Sequence, residues 1–142
     1  MANNWRPSWK NEPGLNYVPA YEVAGIPFVS GSIECVSDPL RVVFPYVTEW
    51  ITVINRSELR SLKVGFSEAG VKGSNYFRVA SHNTGPLAPG RKSVESRFNI
   101  KVGEIWLYNS ENCDIIAGLT NISTDHVSGS KGPSWSGSVG VG

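Results

Sequence analysis

The sequence is short of charge, histidine, cysteine and long apolar runs, and each shortage excludes something. Only 18% of its 142 residues are charged, against about 25% in ordinary soluble domains. Lys and Arg (13) nearly balance Asp and Glu (12), giving a net charge of +1. No basic block is present, so non-specific nucleic-acid binding has no electrostatic support. Trp5-Arg6 and Trp9-Lys10 imitate stacking platforms for single strands, but there is no basic groove to accompany them. The two histidines, His82 and His126, both fall in segments read as loops. The strands therefore lack the clustered ligands of a metalloenzyme barrel. No Gly-x-Ser-x-Gly elbow and no phosphate-binding loop occurs. Glu49 and Glu95 read as solvated strand residues rather than as a catalytic carboxylate pair. The expectation is no enzyme, with no catalytic, cofactor-binding or metal-binding residue. Cys35 and Cys113 are too few for a disulfide framework and read as two reduced, buried thiols. No stretch approaches the roughly 20 apolar residues of a bilayer span, so no membrane-spanning segment is expected. The N-terminus has no apolar signal core. Asn55-Arg56-Ser57 and Asn121-Ile122-Ser123 accordingly read as chance matches to the glycosylation pattern.

What is present is β-forming sequence punctuated by turns, with Gly 15 and Pro 9. The chain is organised around Leu40-Arg41-Val42-Val43-Phe44-Pro45-Tyr46-Val47-Thr48-Glu49-Trp50-Ile51-Thr52-Val53-Ile54-Asn55. This run is dense in β-branched and aromatic residues, which fit a pleated, buried surface. Pro45 would break a helix interior, so the run reads as two strands with a bend at Pro45. In the second of these, Ile51 and Val53 share one face, and Trp50, Thr52 and Ile54 the other. A strand apolar on both faces is either covered on its outer side or lies at a subunit contact.

Period-two alternation places six more strands. The first spans about 28–36, with Val29, Gly31, Ile33 and Cys35 expected on its inward face. The fourth spans 61–66, and a loop is expected over 67–74. The fifth spans 75–80 and is followed by a long loop over 81–90. The sixth spans 92–101, with Val94, Ser96, Phe98 and Ile100 inward. The seventh, 104–108, sets Ile105 and Leu107 against Trp106 and Tyr108, and the eighth spans 113–122. Eight short strands joined by turns indicate an all-β fold, an antiparallel eight-stranded jelly roll of two facing four-stranded sheets. In the usual connectivity of that fold the first and last strands are neighbours. Cys35 and Cys113 are then expected close together in the core.

Residues 1–27 form an N-terminal arm, 28–122 the jelly-roll domain and 123–142 a Ser/Gly-rich C-terminal tail. Pro7, Pro13, Pro19 and Pro27 deny the arm a long helix. Its aromatics, Trp5, Trp9, Tyr17 and Tyr21, are unlike a disordered segment. Such an arm docks onto something, either a neighbour or its own domain. Trp135, in the tail, is a further candidate for contact with a neighbouring chain. Aromatics are enriched in interface cores. The candidate subunit-interface residues are therefore Trp5, Trp9, Tyr17, Tyr21, Trp50, Trp106, Tyr108 and Trp135.

Four segments carry a family resemblance. Phe44-Pro45-Tyr46-Val47-Thr48 followed by Ile51-Thr52-Val53-Ile54-Asn55 resembles the penton (vertex) proteins of large icosahedral double-stranded DNA viruses. These are single jelly-roll proteins of the double-jelly-roll capsid lineage. Pro27-Phe28-Val29-Ser30-Gly31-Ser32 is similar to their entry into the first strand. Phe98-Asn99-Ile100-Lys101-Val102-Gly103-Glu104-Ile105-Trp106-Leu107 is similar to their sixth and seventh strands, and Ile115-Ile116-Ala117-Gly118-Leu119-Thr120 to their last. The resemblance covers about residues 26–122. It implies a homo-pentamer at each fivefold vertex of the virion, assembled in the host cytoplasm. Its partners would be the major capsid protein and other minor capsid proteins, with no direct contact to nucleic acid. No loop here is long enough for an inserted outer domain, so a plain cap is expected. The arm and tail match no part of the family pattern. That leaves open a minor capsid or cement protein, and, from a different class, a soluble carbohydrate- or receptor-binding β-sandwich.

Overall fold

A computed structural model describes residues 25–81, 94–129, 132–133, 135 and 137–142. Eight principal strands run β1 Ile26–Ile33, β2 Leu40–Val43, β3 Tyr46–Asn55, β4 Leu62–Gly65, β5 Tyr76–Val79, β6 Val94–Phe98, β7 Glu104–Tyr108 and β8 Cys113–Ser123. They form two four-stranded sheets, ordered β1-β8-β3-β6 and β2-β7-β4-β5, and every pairing is antiparallel. This is the jelly-roll arrangement, in which every connection but the β4–β5 one passes from one sheet to the other. The crossing between β2 and β3 falls at Pro45, where the missing N–H removes no ladder bond. Beside it, Phe44 N donates to Gly103 O at 2.9 Å, and the buried Phe44 ring meets Phe28 edge-on at 5.0 Å.

The core lies between the sheets. Ile51, Val53, Ile115, Ala117 and Leu119 enter it from one side, and Val42, Leu62, Val64, Val79, Ile105 and Leu107 from the other, all buried. These positions are every second residue of their strands, so the alternation expected for β3, β4, β7 and β8 follows directly from the pleat. Cys35 and Cys113 are both buried and free. Ile33 is the cross-strand partner of Cys113, Cys113 Sγ lies 3.6 Å from Ile33 O, and Cys35, two residues further on, enters the same core cluster as Cys113.

Two local expectations are corrected. Val29 and Gly31 do not face inward: Val29 is 69% exposed, while Ile26 and Phe28 pack on the core. The register of β1 on β8 shifts between Ser30 and Ile33, with Ser32 in the left-handed region at φ 55. The inserted residue reverses the inward phase, so Ile33 and Cys35 face in although Val29 faces out. Asp114 supports this bulge by accepting the Ser32 N–H at 2.8 Å.

The second correction is a helix, α1 (Glu68–Lys72), where a loop is expected. Ser67 caps it, its Oγ accepting from Gly70 N at 2.9 Å, and Lys72 meets Glu68 at 2.7 Å across one turn. These are ordinary start and i,i+4 signals. What fixes the helix is tertiary: Val71 is fully buried, and a Cβ on Gly65 would lie 2.6 Å from its Cγ1.

After β8 come a single 3₁₀ turn, Thr124–Val127, and a two-residue hairpin, β9 (Ser128–Gly129) with β10 (Gly132–Pro133). The end of the tail returns to the domain. Ser67 Oγ donates to Val141 O at 2.6 Å, and Trp135 Nε1 donates to Phe66 O at 3.1 Å.

Candidate functional site

The side chains that the fold does not use for its core project from the two outer sheet faces. On the β1-β8-β3-β6 sheet, the pairings Pro27–Gly118–Trp50 and Val29–Ile116–Thr52 lay residues from three strands in rows. Val29 is 69% and Ile116 37% exposed. Arg97 on β6 stacks its guanidinium over Trp50 at 4.4 Å. Such a cation–aromatic contact shields one side of the indole and leaves the other available. Beside Trp50 lies a shallow depression of about 170 Å³, lined by Gly25, Pro27, Ile116 and Gly118 among others. It is open because Gly118 presents no side chain between Pro27 and Trp50.

The β2-β7-β4-β5 face is different in character. Glu104 is only 4% exposed. It accepts from Arg41 Nε at 2.7 Å and Nη2 at 2.8 Å, and from Trp106 Nε1 at 2.9 Å. This bidentate pair satisfies both carboxylate oxygens. It also holds the Arg41 guanidinium above its ordinary pKa, through the hydrogen bonds to Glu104. Val43 stands next to it, 53% exposed. Further along, Lys63 lies over the rings of Tyr76 (4.5 Å) and Tyr108 (5.5 Å), and Arg78 over Tyr76 at 5.4 Å. A depression of about 280 Å³ borders Tyr76, Phe66, Asn75 and Gly140.

The structure distributes the expected interface residues unevenly. Trp50 is half-buried on the first face, and Trp106 and Tyr108 are half-buried on the second. Trp135 is half-buried against its own core, packing on both hydrophobic clusters. Trp5, Trp9, Tyr17 and Tyr21 lie outside the described residues. Aromatic content alone misses Val29, Ile116, Val43, Lys63 and Arg78. The outward strand phase would have found all but Val29, whose phase the bulge inverts.

Among the described residues there is no group of three or more His, Cys, Asp or Glu placed to hold a metal. His126 is exposed in the 3₁₀ turn, and His82 lies outside the described residues. No helix among the described residues is long and apolar enough to cross a membrane. The arrangement offers apolar and aromatic area with paired charges at its margin, which is the composition of a contact surface. The chain matches no family model, no curated protein and no solved structure.

Proposed function

We propose that this chain is a structural capsid protein that forms the fivefold vertex, or penton, of an icosahedral virus. In this reading five copies close a ring and contact the major capsid protein and other minor capsid proteins in the virion. The observation that carries the proposal is the two-sided apolarity of the jelly roll. Val29, Ile116 and Trp50 stand on one outer face, and Val43, Trp106 and Tyr108 on the other. A closed ring needs two unlike faces on every subunit, because a heterologous contact joins one patch to a different patch on the next copy. The faces here differ in that way: the first sets Val29, Ile116 and Trp50 beside Arg97, and the second carries Lys63, Arg78 and the Arg41–Glu104 pair. The sequence resemblance over residues 26–122 supports the same role.

Co-sedimentation of the purified chain with assembled major capsid protein tests the proposal. Retention in stoichiometric amount, lost in Val29→Asp and Val43→Asp variants that still fold, is the expected result. Absence of binding by the folded wild type overturns it.

One observation favours a second reading, a soluble carbohydrate- or receptor-binding β-sandwich. Tyr76 lies against the depression on the second face with Lys63 and Arg78 over its ring. A stable monomer that binds a glycan and no capsid protein would select this reading.

A further inference from the structure

The depression beside Trp50 lies where the described part of the chain begins. It holds about 170 Å³, and Gly25, Pro27, Trp50, Ile116 and Gly118 are among its walls. Gly25 N donates to Leu119 O at 3.1 Å, so the chain already follows β8 at that residue. The 24 residues before it lie outside the described residues. They join the domain at the rim of this depression.

Size, chemistry and charge select one occupant from that arm. An apolar cavity of about 150 Å³ admits a benzene ring, so a space of about 170 Å³ takes one aromatic side chain. A tyrosine suits a shallow site of this kind, because its ring is apolar and its hydroxyl stays wet. Tyr21, four residues before Gly25, is the aromatic nearest to the rim on the arm. An extended chain covers at most about 3.5 Å per residue, so Tyr21 starts within about 14 Å of Gly25. One four-residue turn brings its ends within about 7 Å and folds the chain back over the rim. Glu22 follows Tyr21 directly. Arg97 stands over the Trp50 ring at 4.4 Å, and among the described residues no carboxylate forms an ion pair with it. A tether this short gives a millimolar effective concentration, which holds a contact too weak to join separate molecules.

We propose that the arm is anchored on its own domain, with the Tyr21 ring seated in the depression between Pro27, Trp50 and Ile116, and Glu22 paired with Arg97. The anchor covers the free side of the Trp50 indole and fixes where the remaining arm departs. It does not rest on ring formation: Val29 is not part of the depression and keeps its 69% exposure for a neighbouring copy.

Methyl NMR of the full-length chain, with the isoleucine δ1 methyls labelled, tests the anchor. The Ile116 signal is assigned by its loss in Ile116→Val. The expected result is a nuclear Overhauser cross-peak from that methyl to a tyrosine ring. It is lost in Tyr21→Ala, kept in Tyr17→Ala, and transferred to a phenylalanine ring in Tyr21→Phe. Unchanged signals from the buried Ile51, Ile105 and Ile115 show that each variant is folded. Glu22→Gln lowers the cross-peak by about twofold, the scale of one exposed ion pair; an undiminished cross-peak overturns the pairing with Arg97. Copies with labelled isoleucine and deuterated tyrosine, refolded together with unlabelled copies, show no cross-peak, because the contact lies within one chain. A cross-peak in that mixture puts the arm on a neighbouring copy and overturns the proposal. So does a wild type with no cross-peak from Ile116 to tyrosine, or one that survives Tyr21→Ala.

Discussion

Asn55 illustrates how one side chain can close an end of the sandwich. It sits fully buried at the end of β3. Its Nδ2 donates to Arg60 O (2.9 Å), Val79 O (3.0 Å) and Ala80 O (3.2 Å). Its Oδ1 accepts from Ser57 N at 3.1 Å and Ser110 Oγ at 3.0 Å. One amide thus joins three chain connections. Asn55→Ala leaves these buried partners without the amide. Each buried orphan costs about 1–3 kcal/mol, so a loss of about 3 kcal/mol is expected. Urea denaturation checks it: the midpoint falls while the slope stays unchanged. Asn55→Asp is expected to be at least as damaging at neutral pH, because it replaces the donor facing three carbonyls with a negative charge. The sequence marks Asn55 only as a turn residue, since nothing local says which distant carbonyls it meets.

At the scale of elements, the strands were legible and their irregularities were not. The alternation over 104–108 predicts a strand that coincides with β7, and the Pro45 bend is the crossing between sheets. Both follow from alternation and from proline chemistry, which act locally. The β1 phase failed because a bulge depends on what the neighbouring strand offers, here the Asp114 carboxylate to Ser32. Helix α1 failed for a related reason. Gly70 and Gly73 read as loop punctuation, whereas the buried contact of Val71 over Gly65 holds the turn in helical form. A methyl group on Gly65 would meet Val71 Cγ1 at 2.6 Å and Asn75 O at 3.0 Å. Gly65→Ala is therefore expected to cost about 1–3 kcal/mol through overpacking. Adding Val71→Ala removes one of the two clashes. The double variant should lose at least about 0.5 kcal/mol less than the sum of the singles. A double-mutant cycle by chemical denaturation reads this coupling directly, and strict additivity would show that α1 does not rest on Gly65.

For the whole molecule, two features reach beyond the eight strands. The tail is the first: Trp135 packs on both hydrophobic clusters and bonds Phe66 O, and Val141 bonds Ser67. Trp135→Ala is expected to cost about 2 kcal/mol, less than a fully buried tryptophan because the ring is half-covered. For a chain of this length that lowers Tm by about 6 °C. A melt of the chain at low concentration checks it; an unchanged Tm would mean that the tail contributes nothing to the domain. The sequence showed the tail's Ser/Gly composition and the exceptional tryptophan, but not which surface receives it.

The outer faces are the second feature, and the proposed role depends on them. Val29→Asp and Ile116→Asp change exposed positions, so the isolated domain should keep its stability within about 0.5 kcal/mol. A ring that buries these residues should come apart, because each change places an unpaired charge in a desolvated contact. Native mass spectrometry of the purified full-length chain tests the central claim most directly. The account predicts a species of five copies that falls to single copies in Val29→Asp and Ile116→Asp. A wild-type chain that remains a single copy across the accessible concentrations would contradict it.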